Sequence, residues 1–276
     1  MVLLLIILEI AFLDSKTRAP LEVSFLNVGQ GDAILINYEQ HWQILIDGGP
    51  NPVNLLTELD KTLPPFDKKI ELILITHPDR DHFLGLLGVL KKYKIGQIIS
   101  NGGESDDEPW RALRKLAKEQ GIPWSIAGLD SEIDVGSNFK LALLNPDSLD
   151  VVRNKDNDYS LAARLDYGKH SFLFTGDIGF KGEANLWRNR QKLNADYLKV
   201  AHHGSPKSTA EWFLTKVNPR LAIISVGEND YGHPSKEVLA RLAKHNIEIK
   251  RTDQAGTIIV RCWLENDQCR VSNLTH

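Results

Sequence analysis

A chain of 276 residues, 42% hydrophobic and 25% charged, has the composition of a globular protein with a sizeable core, as one large domain or two small ones. A net charge of -3 and a pI near 6.3 exclude a global basic field that would draw it onto nucleic acid, so any such contact must come from a local patch. Cys262 and Cys269 form no zinc motif; they allow either one disulfide across a hairpin or two thiols, and leave the compartment open.

Residues 1–13 are almost wholly apolar, broken only by Glu9, and a polar stretch follows at 14–18. Such a run is too short to span a bilayer, which needs about 20 residues. It lacks the positive n-region of a signal peptide, and Thr17-Arg18-Ala19 is a mediocre cleavage site. The segment reads as a short anchor, a transmembrane remnant or an imperfect export signal, which puts the protein beside a membrane or outside the cytoplasm. A buried apolar strand is the alternative.

Residues 21–28 alternate like a half-buried strand, Gly29-Gln30-Gly31-Asp32 reads as a tight turn, and 33–38 as the returning strand. No helix follows the glycines, so they are no dinucleotide fingerprint. A third strand over 41–46 runs into Asp47, which either bonds loop amides near a site or is a plain turn residue. A helix is expected over 54–63, stopped by Pro64-Pro65. Residues 71–75 are an apolar, branched run typical of a buried strand, and enter Thr76-His77-Pro78-Asp79-Arg80-Asp81-His82. Four potential metal ligands, His77, Asp79, Asp81 and His82, thus fall where a strand runs out into a loop. A solvated turn would explain one His or two Asp there, but not all four. Expected next are a helix over 83–93, a strand over 95–100, an acidic loop over 101–108 and a helix over 109–120, with Pro109 in its first turn. Strands over 124–127, 134–135 and 139–144 complete the first half.

In the second half, Asn157-Asp158-Tyr159-Ser160 precedes a strand over 161–165, and a strand over 171–175 ends in Gly176-Asp177. Residues 197–201 lead to His202-His203-Gly204-Ser205, and 221–226 lead through a polar loop to Gly232-His233-Pro234-Ser235. Separate strands therefore each deliver His or Asp at what should be one end. A lone histidine would be unremarkable, but converging sets are not. Strands in meander order, then alternating with helices, predict an α/β fold of two face-to-face sheets with helices outside. With no low-complexity linker and no short repeat, residues 21–276 read as one catalytic domain after an N-terminal segment, 1–20.

His77-x-Asp79-x-Asp81-His82 resembles the HxHxDH signature of the metallo-β-lactamase superfamily, with Asp in place of the second His. Asn27-Val28-Gly29-Gln30-Gly31-Asp32, Thr175-Gly176-Asp177, the stretch 198–205 and Gly232-His233-Pro234-Ser235 together resemble one branch, the C-terminal domain of ComEC-type competence proteins and its stand-alone relatives. The similarity runs from about residue 21 to 260. It implies an αββα four-layer sandwich of two mixed sheets flanked by helices, with a dinuclear metal site. Carried over, His77 and Asp79 bind one ion, Asp81 and His82 the other, Asp177 bridges, and one of His202 and His203, preferably His203, completes the second site. Asp79 in place of an imidazole moves preference from zinc towards manganese. The superfamily's third-motif His is absent, and Asn157 or Asp158 stands near its place.

The implied activity is metal-dependent hydrolysis by a hydroxide activated between two divalent ions, Mn²⁺ or Zn²⁺. Asp81 is expected to ligate and orient that hydroxide. His233 is expected at the leaving group or behind a ligand, unless it only caps a turn. Lys199 either offsets phosphate charge or is an ordinary exposed lysine. Ser205, Lys207 and Ser208 are candidate phosphate-backbone contacts. The favoured substrate is DNA, cleaved in connection with competence-type uptake, with Lys181, Arg188, Arg190 and Lys192 as a local groove or a solvated helix face. Alternatives are a small phosphodiester or phosphocholine ester, and a non-catalytic metal-binding domain of a membrane uptake assembly. The oxygen-rich first motif is unlike that of the zinc lactamases, which disfavours β-lactams.

Overall fold

The computed structural model describes residues 19–274 apart from 40–41, 65, 129–130, 137, 146–156 and 190. The apolar stretch 1–13, most of segment 1–20, and Arg190 lie outside the described residues. No helix among the described residues is long and apolar enough to cross a membrane.

The strands are β1 (Leu21–Phe25), β2 (Ile34–Tyr38), β3 (Trp42–Ile46), β4 (Lys69–Ile75), β5 (Lys94–Ser100), β6 (Trp124–Ile126), β7 (Glu132–Gly136) and β8 (Phe139–Asn145). They continue with β9 (Ala162–Tyr167), β10 (His170–Phe174), β11 (Tyr197–Lys199), β12 (Leu221–Ile224), β13 (Glu248–Arg251), β14 (Ile258–Trp263) and β15 (Gln268–Asn273). One sheet runs β15-β14-β1-β2-β3-β4-β5-β6 and the other β13-β12-β11-β10-β9-β8-β7. Both are mixed: β3 to β6 are parallel in the first, β10 to β13 in the second.

Alternation along the buried strands makes the layers. Leu72 and Leu74 of β4, and Phe172 and Phe174 of β10, point between the sheets into a core with Phe25, Phe139 and Leu165. Their neighbours Ile73 and Ile75 face outward onto Leu55, Phe83, Leu86 and Trp110 of the helical layer. Leu173, Leu198 and Ile224 face the opposite layer with Phe213, Leu214 and Val238. Each such strand is apolar on both faces, which is why the runs looked continuous in sequence. The result is the expected helix–sheet–sheet–helix sandwich.

Some element bounds differ from expectation. β1 stops at Phe25, and 26–33 form a loop rather than a tight turn, with positive φ at Gly29 and Gly31. The expected helix over 83–93 is two pieces, Arg80–Phe83 and Leu86–Lys92. Between them Gly85 packs so closely on the Gly48 carbonyl that no Cβ would fit. The strands expected over 197–201 and 221–226 stop at Lys199 and Ile224, because the chain turns there into the loops that carry His203 and His233. Cys262 and Cys269 pair as a disulfide across the β14–β15 hairpin.

Candidate metal centre

The ends of β3, β4, β10 and β11 carry Asp47, the 76–82 loop, Asp177 and His202-His203 respectively. Parallel neighbours bring these carboxyl ends to one edge, where two sheets meet in a cleft. Asp81, His82, Asp177 and His203 offer one ligand atom each within 4.8 Å of one another. His82 Nε2 lies 3.3 Å from Asp177 Oδ2, and His203 Nε2 lies 3.4 Å from the same atom and 3.3 Å from Asp81 Oδ2. His77 flanks the group, its ring 4.1 Å from that of His82 and its Nε2 3.4 Å from Asp79 Oδ2. His202 is farther out, with Nε2 3.8 Å from Asp177 Oδ2.

The other ring nitrogens are tied down from behind. His203 Nδ1 is 2.8 Å from the Ser225 carbonyl, which only accepts, so Nδ1 must be the donor. His82 Nδ1 meets Asp47 Oδ2 at 2.8 Å, again an acceptor. Thr76 donates its one hydroxyl hydrogen to Asp47, and Ser160 donates its own to the Asn157 carbonyl. His77 Nδ1, 3.0 Å from Thr76 Oγ1, is therefore also a donor. All three imidazoles carry Nδ1–H and turn Nε2 into the cluster, where these three nitrogens and Asp177 Oδ1 are buried without a hydrogen-bond partner. Orphaned polar atoms at this density are costly unless a cation takes them. Buried imidazoles held by carboxylate or carbonyl at Nδ1 are the usual arrangement of metal-ligating histidines. The residues fit a divalent cation.

The electrostatics agree. Burial works against charge on His82 and His203, yet Asp177 with Asp47 and Asp81 holds His82 well above its ordinary value. Asp177 and Asp32 likewise push His203 up to about 10. Burial also opposes ionisation of Asp81 and Asp177, but the two histidines outweigh it and hold both carboxyls far below the usual range. Asp79 is lowered by the neighbouring His77, whose Nε2 lies 3.4 Å from its Oδ2. Positive charge is what this cluster wants, and a cation supplies it.

Lys199 requires a correction. It is neither an exposed lysine nor within reach of a substrate phosphate. Its side chain is wholly buried, ion-paired with Asp32, bonded to the Gly176 carbonyl at 3.0 Å, and 3.6 Å from Asp177 Oδ1. It lies under the cluster because Asp32, brought by the 26–33 loop, draws its ammonium inward. Sequence reasoning missed the roles of Asp32, Thr76 and Ser225, whereas of its two readings of Asp47 the bond to a loop amide near the site holds, through Thr76 N at 2.8 Å. The local signals were Gly31-Asp32 in the loop before β2 and Asp47-Gly48 just after β3. Asp32, Asp47 and His82 also lie together, but Lys199 and Thr76 occupy that floor.

The remaining candidates divide. Asn157 and His233 line the cleft, of about 350 Å³, with Gln30, Arg80 and Tyr231. Asp158 instead accepts from Gly179 N and Gly182 N at 2.8 and 2.9 Å, at the start of the helix Phe180–Arg188. Ser205 and Ser208 are buried, and Ser208 donates to the Ala201 and Ser205 carbonyls, so it holds the loop; Lys207 is exposed. Of the basic patch, Lys192 pairs with Asp166, while Lys181 and Arg188 bond the neutral Tyr159 hydroxyl and Asn185 amide oxygen. His202 and His203 both have left-handed φ, 49° and 52°, a strain typical of functional sites.

A family model for the metallo-beta-lactamase superfamily matches residues 26–228. ComE operon protein 3 of Bacillus subtilis is 30% identical over 260 residues, covering 87% of this chain and 33% of that protein. Recombination protein 2 of Haemophilus influenzae is 30% identical over 276 residues, 97% of this chain and 32% of that protein. The chain thus spans about a third of the length of these relatives. Among solved structures, the metallo-beta-lactamase fold protein YhfI from Bacillus subtilis superposes with a TM-score of 0.56 at 13% identity, covering 86% of this chain and 99% of that one. A putative metal-dependent hydrolase from Parabacteroides distasonis gives 0.51 at 16% identity, covering 84% and 92%. At such identities the structures speak to the fold alone. The sequence matches bear out the resemblance read from the motifs.

Proposed function

The chain belongs to the metallo-beta-lactamase superfamily of metal-dependent hydrolases, and from that premise we propose that it is a phosphodiesterase that cleaves DNA in connection with competence-type uptake. The observation that carries this reading is the convergence of three Nε2 lone pairs and the Asp177 carboxylate at the open end of the sheets. Asp81, His82, Asp177 and His203 would hold one divalent ion, and His77 and Asp79 would contribute to a second. Manganese suits the oxygen-rich set better than zinc. When bound, two such ions supply Lewis acidity to a phosphoryl group and acidify a water.

The chain's own groups do the rest. Asp81, a third exposed at the cleft floor, orients the attacking water. Burial and the neighbouring His202 and His203 keep His233 below its ordinary pKa, so at neutral pH it offers a hydrogen bond to a phosphoryl oxygen rather than a charge. His202, lowered by burial and by nearby cations, does the same beside it, its ring 5.6 Å from that of His233. Residues 21–276 are taken as the catalytic unit, and a membrane setting is proposed from the competence-protein relatives.

The test is incubation of the full chain with single- and double-stranded DNA in Mn²⁺, Zn²⁺ or chelator, beside Asp81→Ala. Metal-dependent cleavage that disappears in the variant is expected. Stoichiometric metal without cleavage would sink the nuclease reading and leave a small-ester hydrolase or a non-catalytic metal-binding domain.

A further inference from the structure

We propose that Tyr231 is a stacking platform for the nucleobase beside the scissile phosphate, so that the cleft takes an unpaired strand in preference to duplex. The inference rests on the nucleic-acid reading above and adds to it a specificity-determining residue.

Tyr231 is 77% exposed, and it lines the same cleft as Asp81, Asp177 and His203. An aromatic ring this open to water normally sits on a loose loop, but this one does not. Asn229 stitches the loop together: its Oδ1 accepts from Tyr231 N at 3.1 Å and His233 N at 3.0 Å, and its Nδ2 donates to the Gly227 and His233 carbonyls at 2.8 and 2.9 Å. The Tyr231 ring stands 5.9 Å from His233, whose ring in turn stands 5.6 Å from His202. The ring is thus exposed, next to the site and carried on a fixed backbone, so engagement need order only the side chain.

Charge points the same way. Binding to a phosphate chain usually draws on free Lys and Arg. Here Arg80 at the cleft mouth is held by Asp107 through two bonds of 2.5 and 2.6 Å, and Lys199 is buried under Asp32. Among the described residues the cleft lining has no other lysine or arginine, and besides Tyr231 itself its remaining ionisable groups are Asp79, Asp81, Asp177 and the histidines. Cations held at the centre would grip only the scissile phosphate, so for the neighbouring nucleotide stacking is the source of affinity, and it tolerates any base because every base has a π-face. Within a duplex both faces of each base are covered by its neighbours, so only an unpaired or extruded base can reach Tyr231.

The test uses the full chain, Mn²⁺ and a short oligothymidylate carrying one 2-aminopurine, with fluorescence read on mixing before turnover. The wild type is expected to quench the probe. Tyr231→Ala is expected to weaken binding by about 5- to 150-fold, equivalent to about 1–3 kcal/mol, while Tyr231→Phe keeps it. An abasic residue at the probe position should weaken the wild type to a similar degree and Tyr231→Ala hardly further, which a merely structural tyrosine would not produce. The proposal is overturned if the wild type does not quench, if Tyr231→Ala quenches like the wild type, or if the two losses simply add. Tyr231-dependent quenching without strand cleavage in any metal would remove the nuclease reading and leave the stacking subsite standing.

Discussion

Lys199 and Asp32 form a fully buried ion pair across 167 positions of sequence, directly beneath the carboxylate of Asp177. Burial opposes the ammonium, but Asp32 and Asp177 outweigh it and hold its pKa above the ordinary lysine value. Removing one partner leaves the other charged and dry. Lys199→Met is therefore expected to destabilise the fold by about 3–5 kcal/mol in chemical denaturation, and the double variant Lys199→Met, Asp32→Asn by distinctly less. Equal losses in the single and double variants would show that the pair is not what holds this floor.

Asp47 fixes the ligand behind the ligand. It accepts from Thr76 N at 2.8 Å and Thr76 Oγ1 at 2.7 Å, and it meets His82 Nδ1 at 2.8 Å. An amide there would offer a donor where both neighbours need an acceptor. Asp47→Asn is expected to weaken Mn²⁺ binding by about 10- to 100-fold in calorimetric titration, although Asp47 itself stays behind the ligand atoms. Unchanged affinity would remove Asp47 from the centre.

Gly31 and Gly29 make a matched pair of tests. Both have positive φ, +146° and +90°, but a Cβ on Gly31 would run into the Asp81 backbone carbonyl, whereas the space around Gly29 is open. Gly29→Ala is expected to lose about 1 kcal/mol of stability from backbone strain alone. Gly31→Ala should lose more, roughly 2–4 kcal/mol, and should lower metal affinity as well, because Asp81 must move. Similar thermal and metal titrations for the two variants would refute the close-approach argument.

Glu183 sets a pH dependence away from the centre. Burial pushes its carboxyl up to about 7, against hydrogen bonds from the backbone N–H groups of Ala210 and Thr209. The folded value lies above the ordinary 4.5, so the folded state binds its proton more tightly. This contribution is complete below pH 4.5 and is lost as pH rises to about 7, at no more than about 1.4 kcal/mol per pH unit. The difference in unfolding free energy between Glu183→Gln and its parent should change across that window and level off above it. A flat difference would refute the assignment.

Much of the site was legible because it is written locally. His77, Asp79, Asp81 and His82 lie within one turn of chain, and each of Asp177 and His203 follows an apolar strand whose continuous hydrophobicity announces burial on both faces. The strand bounds at Phe25, Lys199 and Ile224 were less legible, since a hydrophobic residue after a strand looks like more strand. Leu26 and Val28 prolonged the alternation in sequence while packing into the outer helical layer.

By itself the sequence pointed to two packed sheets with helices outside and to candidate ligands at the strand ends, because periodicity and local motifs specify which residues are buried and which strand ends carry His or Asp; the αββα layering came with the family resemblance. Only the tertiary structure decided which ring nitrogen faces the centre, that Lys199 is buried rather than open to substrate, and that Tyr231 stands at the cleft. Those facts depend on partners far apart in the chain, Ser225 for His203, Asp47 for His82 and Asp32 for Lys199. A hydrogen bond or ion pair in a dry interior forms only where folding sets both groups within about 3 Å, and no spacing along the chain encodes that meeting.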